Sequence, residues 1–222
     1  MEGKRRTAKR DSAPAVAPRQ SYHHGELAES LSRVALELIE KDGVEAFSLR
    51  DAAARCGVAV SAAYKHYDSK AAILHAVADL GFQTLADRMK DEGERSTRAL
   101  TGTRAAEARL VATGRAYILF ASEHPNLFRL MYGPHGPKGG GTDARPDAPA
   151  RRLTRLLVGS LKDVLTAYGK EDADVEVHMV IAWALVHGFS MMVVDGVWTK
   201  PGKRALDDMI AELGQAVLRS LR

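Results

Sequence analysis

Leu27, Leu31, Val34, Ala35, Leu38 and Ile39 recur at helical spacing, a single apolar stripe that predicts an amphipathic helix from Gly25 to Gly43. Ser48 predicts the cap of a second, two-turn helix, with Asp51 at the capping-box position where Glu or Gln is usual. Gly57 closes that helix, and a third short helix is predicted over roughly 60–67. Ser69 opens a long fourth helix with Ile73, Leu74, Val77, Leu80, Leu85 and Met89 on one side. Polar sequence over 93–103 predicts a loop. The next helix carries Leu110, Val111, Tyr117, Ile118 and Ala121 and stops at His124-Pro125, followed by a brief apolar helix over 126–132. The Gly- and Pro-rich run over 133–141 predicts irregular chain. Three further helices are predicted: one marked by Leu153, Leu156, Leu157, Leu161, Val164 and Leu165; one over 175–194; one marked by Leu206, Met209, Ile210, Leu213, Val217, Leu218 and Leu221. No alternating strand pattern or Asn-Gly hairpin interrupts them, so the predicted fold class is all-α.

The chain has 222 residues, 45% hydrophobic and 27% charged, room for a small domain joined to a medium one. Cys56 is the single cysteine, which excludes an intrachain disulfide, a cysteine-rich zinc site and a CxxC redox motif. No apolar stretch follows the charges of Met1–Arg6, so no secretory signal is predicted, and the expected location is the cytoplasm. The formal charge of +4 points to a polyanionic partner. Its distribution is more telling. Lys4, Arg5, Arg6, Lys9, Arg10 and Arg19, set against Glu2 and Asp11, account for all of the excess within residues 1–20. That segment, broken by Pro14 and Pro18, is expected to be a disordered basic arm on a body of balanced charge.

Two short helices separated by a glycine, with small residues where they cross, are what a helix-turn-helix requires. Ala53, Gly57, Val58 and Ala63 supply them at suitable spacing. Ser61 and Ala62 stand at the start of the second helix, where this geometry reads base edges in the major groove. Ala62 offers a methyl group to a thymine methyl, and Ser61 bonds several bases weakly. Val60 is shared between core and groove. Ala63 and Tyr67, four apart, are expected to face the core.

The stretch Tyr64-Lys65-His66-Tyr67-Asp68-Ser69-Lys70, with the Tyr22-His23-His24-Gly25 entry and the helix that follows, resembles the tetracycline-repressor (TetR/AcrR) family of bacterial regulators over about residues 22–85. The family pattern departs at several places. Its Ser at the start of the recognition helix is Ala59 here, which leaves Ser61 as a candidate cap two residues later. Ser61-Ala62 stands for its Gly-Thr, Ala63 for its Leu, Tyr67 for its Phe, and Ala71-Ala72 for its acidic pair. The resemblance implies phosphate-facing roles for Tyr64, Lys65, His66 and Lys70, which position the protein without reading sequence. It also implies a DNA contact for Arg50, whose alternative is a surface ion pair with Asp51 or Glu45. Residues 21–72 carry six basic and eight acidic side chains, so affinity rests on local placement, with the arm as a possible helper.

The resemblance further implies a C-terminal domain that binds a ligand and dimerises. Ala182-Trp183-Ala184-Leu185-Val186-His187-Gly188-Phe189 matches the Trp-x3-His-Gly signature of the WHG subgroup, and the run over 122–132 looks like that type too. Trp183 and His187 share a helix face, either lining a cavity with imidazole as its polar anchor or sitting as core residues. Tyr117, Phe120, Phe128 and Met191 are candidate apolar walls, and ordinary core explains them equally well. Gly188 is expected to allow close helix packing. The helix over 175–194 is apolar nearly all round and about 30 Å long, enough to span a membrane. His178, His187, Glu176 and Asp195 argue against that, and a core on one side with a partner subunit on the other is expected instead.

The expected organisation is therefore a basic arm (1–20), a three-helix helix-turn-helix domain (21–70) and a helical ligand-binding and dimerisation domain (71–222) entered by a linking helix (71–90). The expected function is a homodimeric transcriptional regulator, a repressor released from a palindromic double-stranded operator by a small apolar ligand. Its dimer forms through the last two helices, and no cofactor, metal or membrane is involved. An architectural DNA-binding protein without a ligand is the alternative. An enzyme built on His187 is disfavoured, because Asp195 lies two helical turns, about 12 Å, away.

Overall fold

The computed structural model describes residues 24–137, 148–198 and 202–222. The expected arm and the residues His23 and Gly139–Gly141 lie outside them. The described residues form an all-helical fold: α1 (His24–Ala46), α2 (Leu49–Arg55), α3 (Val60–Tyr64), α4 (Lys70–Thr97), α5 (Gly102–Glu123), α6 (Pro125–Tyr132), α7 (Pro149–Ala167), α8 (Val175–Val194) and α9 (Lys203–Leu221).

Local chemistry sets most of the boundaries. Gly43, at φ +82°, breaks the regular path of α1 where the sequence predicts its end. Ser48 caps α2 by accepting the Asp51 N–H at 3.1 Å. The capping box does not close reciprocally, because the Ser48 hydroxyl donates to Asp51 Oδ2 at 2.6 Å. Ser69 caps α4 in the same manner, accepting the Ala72 N–H at 3.1 Å. Each such cap contributes about 1 kcal/mol.

Three sequence expectations need correction. α3 ends at Tyr64, short of Tyr67, whose hydroxyl is drawn to α1. Ser61 does not cap it: Ala59 holds the cap position, and no side chain bonds there. The loop expected over 93–103 shrinks to 98–101, because Gly93 is buried inside α4. A Cβ at Gly93 would stand 3.2 Å from the Arg109 side chain, so the missing side chain is what lets α5 lie close.

α1 to α3 form a headpiece whose core is not separate from the body. One apolar cluster runs from Leu31, Ala53 and Ala63 through Ile73, Val77 and Phe82 of α4 to Phe120, Phe128 and Met131. Polar links add to it on the α1–α6 side. Glu40 Oε1 lies 2.8 Å from His124 Nδ1, its carbonyl accepts from Asn126 Nδ2 at 3.0 Å, and Glu45 Oε1 lies 2.9 Å from His135 Nε2. Among the described helices α8 is the one long and apolar enough to cross a membrane, and little of it is buried within the monomer.

Candidate nucleic-acid interface and buried cavity

The crossing of α2 and α3 is as tight as its alanines allow. Ala52, Ala53 and Ala63 are fully buried, and the turn between the helices needs Gly57, whose φ of +70° L side chains rarely adopt. The Val58 N–H donates to the Ala53 carbonyl at 3.0 Å and closes the turn. With the backbones this close, the outer side of α3 is left free. Ser61, Tyr64, Lys65 and Lys70 are exposed, Tyr64 by 50%. Arg50 is exposed on α2 and forms no ion pair among the described residues; Glu45, one of its expected partners, stands beside His135 instead. Val60 and Ala62 are half-buried and pack against the headpiece core, and His66 is half-buried. Lys70 is steadied by the Phe47 ring, its Nζ 6.0 Å from the ring centroid.

Tyr67 behaves as the core residue the spacing predicts. Its hydroxyl lies 2.5 Å from Ser32 Oγ and donates to the Ala28 carbonyl at 3.1 Å, tying the end of α3 to α1.

α4 leads from this surface to the second candidate site. At 1.5 Å per residue, Lys70 beside α3 stands about 29 Å along it from Met89, which lines a cavity of about 120 Å³ set among α4 to α9. The wall is mostly apolar, with Leu153, Leu157, Ala182, Val186, Ile210 and Leu213 among its residues. Of the predicted ligand residues, Tyr117 and Trp183 line it. Phe120, Phe128 and Met191 do not: both phenylalanines are buried in the main core, and Met191 packs against it. His187 stands behind the wall, stacked on Trp183 with centroids 4.9 Å apart and bonded through Nδ1 to the Tyr117 hydroxyl at 2.9 Å. Burial lowers the His187 pKa, so the ring is neutral near pH 7, and burial raises those of Tyr117 and Tyr132.

Sequence reasoning misses the rest of this wall, Arg115 and Met179 among it. Arg115 has a legible signal: a lone cation among Leu110, Val111, Gly114, Tyr117 and Ile118 on α5. Met179 has none beyond its place on an apolar helix.

The family model described as "Bacterial regulatory proteins, tetR family" matches residues 31–77, the span holding the helix-turn-helix. A second, "Tetracyclin repressor-like, C-terminal domain", matches residues 110–216, the span holding the cavity. The chain belongs to the tetR family. Solved structures agree on the fold. A protein of unknown function from Rhodococcus sp. RHA1 is 27% identical over 91% of this chain and 98% of its own, with a TM-score of 0.64. A tetR-family regulatory protein from Rhodococcus RHA1 is 16% identical over 88% of this chain and 97% of its own, with a TM-score of 0.56. A TetR/AcrR-family regulator from Thermobifida fusca YX-ER1 is 19% identical over 88% of this chain and 98% of its own, with a TM-score of 0.55. No curated protein matches the chain. Family and domains of this tetR-family member are those of a DNA-binding transcriptional regulator.

Proposed function

We propose that the chain is a homodimeric repressor that grips a palindromic operator and is released when a small apolar molecule fills the cavity. The observation that carries this reading is the span of α4, which has Lys70 beside the reading helix and Met89 in the cavity wall. A ligand that holds α4 in one position fixes the spacing of the two headpieces. Release follows if that spacing misses successive major grooves, which lie about 34 Å apart.

In this reading Ser61, Ala62 and Val60 meet base edges, while Arg50, Tyr64, Lys65, His66 and Lys70 meet the backbone. Residues 21–70 are the reading domain and 71–222 the regulatory one, joined by 71–90, in a cytoplasmic protein. The stacked Trp183–His187 pair supports the WHG subgroup. Trp183 and Tyr117 are the ligand contacts, with His187 holding Tyr117 and Phe120, Phe128 and Met191 backing the wall.

The outward face of α8 supports the dimer. Val177, Ile181, Ala184, Leu185, Gly188 and Met192 are exposed and follow one another at helical spacing. A Cβ at Gly188 would have nothing within 4 Å, so the glycine serves no packing inside the monomer and leaves room for a helix crossing from outside. Arg204, Asp208, Glu212, Gln215 and Arg219, exposed positions of α9, are polar. They suit a rim around an α8 centre. A bilayer would strand Glu176 and His178 and replace the cavity wall formed by the opposite face of α8.

The cavity beside Trp183 favours a ligand-controlled regulator over an architectural protein. The enzyme reading gains no support, since Asp195 lies 3.4 Å from Arg129 Nε and His187 is engaged by Tyr117.

The test is selection of bound duplexes from a random pool, followed by a ligand screen on the recovered site. The expected result is an inverted repeat bound by a dimer and released by an apolar compound. A single half-site bound by a monomer, or a hold that no cavity-filling compound loosens, overturns it.

A further inference from the structure

Two side chains of the short helix α6 cap the ends of other helices. Arg129 reaches the C-terminal end of α8, where its Nη2 donates to the Val194 carbonyl and its Nε stands 3.4 Å from Asp195 Oδ1. Asn126 reaches α1, where its Nδ2 donates to the Glu40 carbonyl at 3.0 Å. Glu40 stands in the turn before Gly43, the residue at which α1 leaves its helical path. Carbonyls in the last turn of a helix lose their partners within it, so both places favour a donor from outside. At α8 a cation also meets the negative end of the helix dipole.

The two caps are joined. Arg129 Nη1 donates to Asn126 Oδ1 at 3.3 Å. One amide thus accepts from the guanidinium and donates to α1, which fixes its orientation. Turned over, it would set its NH2 against the cation and its oxygen against the carbonyl. Hydrogen bonds therefore run without a break from Val194 through Arg129 and Asn126 to Glu40, and α4 has no part in them. His124 Nδ1, 2.8 Å from Glu40 Oε1, fastens the same residue of α1 a second time.

Both ends of this series matter to the molecule. α8 lines the cavity with Met179, Ala182, Trp183 and Val186, and it turns apolar side chains outward. Glu40 is followed within a few turns by Phe47, which is buried in the headpiece core, and by Ser48, the cap of α2. The Phe47 ring also carries Lys70 Nζ, 6.0 Å from its centroid. A displacement of Glu40 is therefore passed to the start of the helix-turn-helix.

We propose that α6 is a strut that couples the C-terminal end of α8 to the headpiece without passing through α4, with Arg129 and Asn126 as its positioning residues. Whatever shifts the end of α8 then re-aims α2 directly, through a contiguous set of bonds. The coupling is reciprocal, so loosening either end loosens the other. That a cavity occupant is what moves α8 rests on the repressor reading; the strut does not.

Amide hydrogen exchange of the full chain, resolved by peptide, tests it. The segment 191–198 holds the Asp195, Gly196 and Trp198 N–H groups, bonded to carbonyls at the end of α8, and 41–48 holds the Phe47 N–H, bonded to Val44. Arg129→Ala should speed exchange over 191–198 about fivefold, the effect of a lost hydrogen bond. It should also speed 41–48 about threefold through the coupling. Asn126→Asp keeps the acceptor for Arg129 and removes the donor to Glu40, so it should loosen 41–48 and spare 191–198. Adding Arg129→Ala to it should then leave 41–48 no faster than in Asn126→Asp alone. Arg129→Lys keeps a cation at the end of α8 and lacks the fork that spans to Asn126. It should loosen 41–48 only, and it decides the matter should the alanine variant loosen α5 as well. Acceleration by Arg129→Ala confined to 191–198, full protection of 41–48 in Arg129→Lys, or effects that multiply in the double variant overturns the strut. Neither ligand nor operator enters the measurement, so its failure leaves the repressor reading standing.

Discussion

The Tyr117 hydroxyl on α5 lies 2.9 Å from Nδ1 of His187 on α8, joining two helices that both line the cavity. Burial lowers the His187 pKa below its ordinary 6.5. Between the folded value and 6.5 the unfolded chain holds more protons than the folded one, so stability falls as the pH drops through that window and is unaffected above it. Replacing His187 with Asn keeps an acceptor for Tyr117 and removes the titration. Relative to H187N, the unaltered protein should lose stability between pH 7.5 and pH 5.5. The loss should be a fraction of the roughly 1.4 kcal/mol per pH unit of a fully sequestered group, because the ring is half exposed. Urea unfolding of both proteins at the two pH values measures it; an identical difference at each pH contradicts the assignment.

Ser32 and Tyr67 form the corresponding polar link inside the headpiece, at 2.5 Å. Tyr67→Phe should destabilise the protein by about 1 kcal/mol, and Ser32→Ala by a similar amount. The double variant should lose less than the sum, since both remove the same bond. Thermal unfolding of the four proteins closes the cycle, and strict additivity would mean that the two hydroxyls do not depend on each other.

These two pairs mark what a sequence can disclose. Ser48, Gly57 and Ser69 are legible because a cap or a positive φ is decided by neighbours within a few residues. The length of α3 is not, because it depends on a hydroxyl reaching Ala28, 39 residues away. Gly93 reads as a loop residue until α5 is known to lie against it. Phe120 and Phe128 are apolar whether they back a cavity or face it, so only the packed structure separates them from Tyr117 and Trp183. Arg115 stands out in the sequence as a cation in an apolar run, but its unsatisfied Nη1 is a property of the fold alone.

On the operator recovered by selection, Tyr64→Ala and Lys70→Ala should each weaken binding, and Lys70→Ala should reduce the salt slope by about one. Both side chains are exposed, so stability should change little. The loss should be similar on mutated operators, as expected of contacts that position the protein and do not read bases. Titrations at several salt concentrations decide it. An unchanged slope removes Lys70 from the phosphate contacts.

Val180 is 56% exposed and Val177 53% exposed on α8. Placing Glu at both positions puts two carboxylates on each subunit where two copies of the helix would meet. Like charges brought together and partly desolvated at such a centre disfavour association by several kcal/mol. Neither side chain is buried in the monomer, so the helical content should be retained. Sedimentation should therefore show a dimer for the unaltered chain and a folded monomer for V177E/V180E. The operator affinity should fall steeply, because one headpiece then binds without the second. A variant that remains dimeric with full affinity would move the interface away from α8 and leave its outward apolar face for another partner.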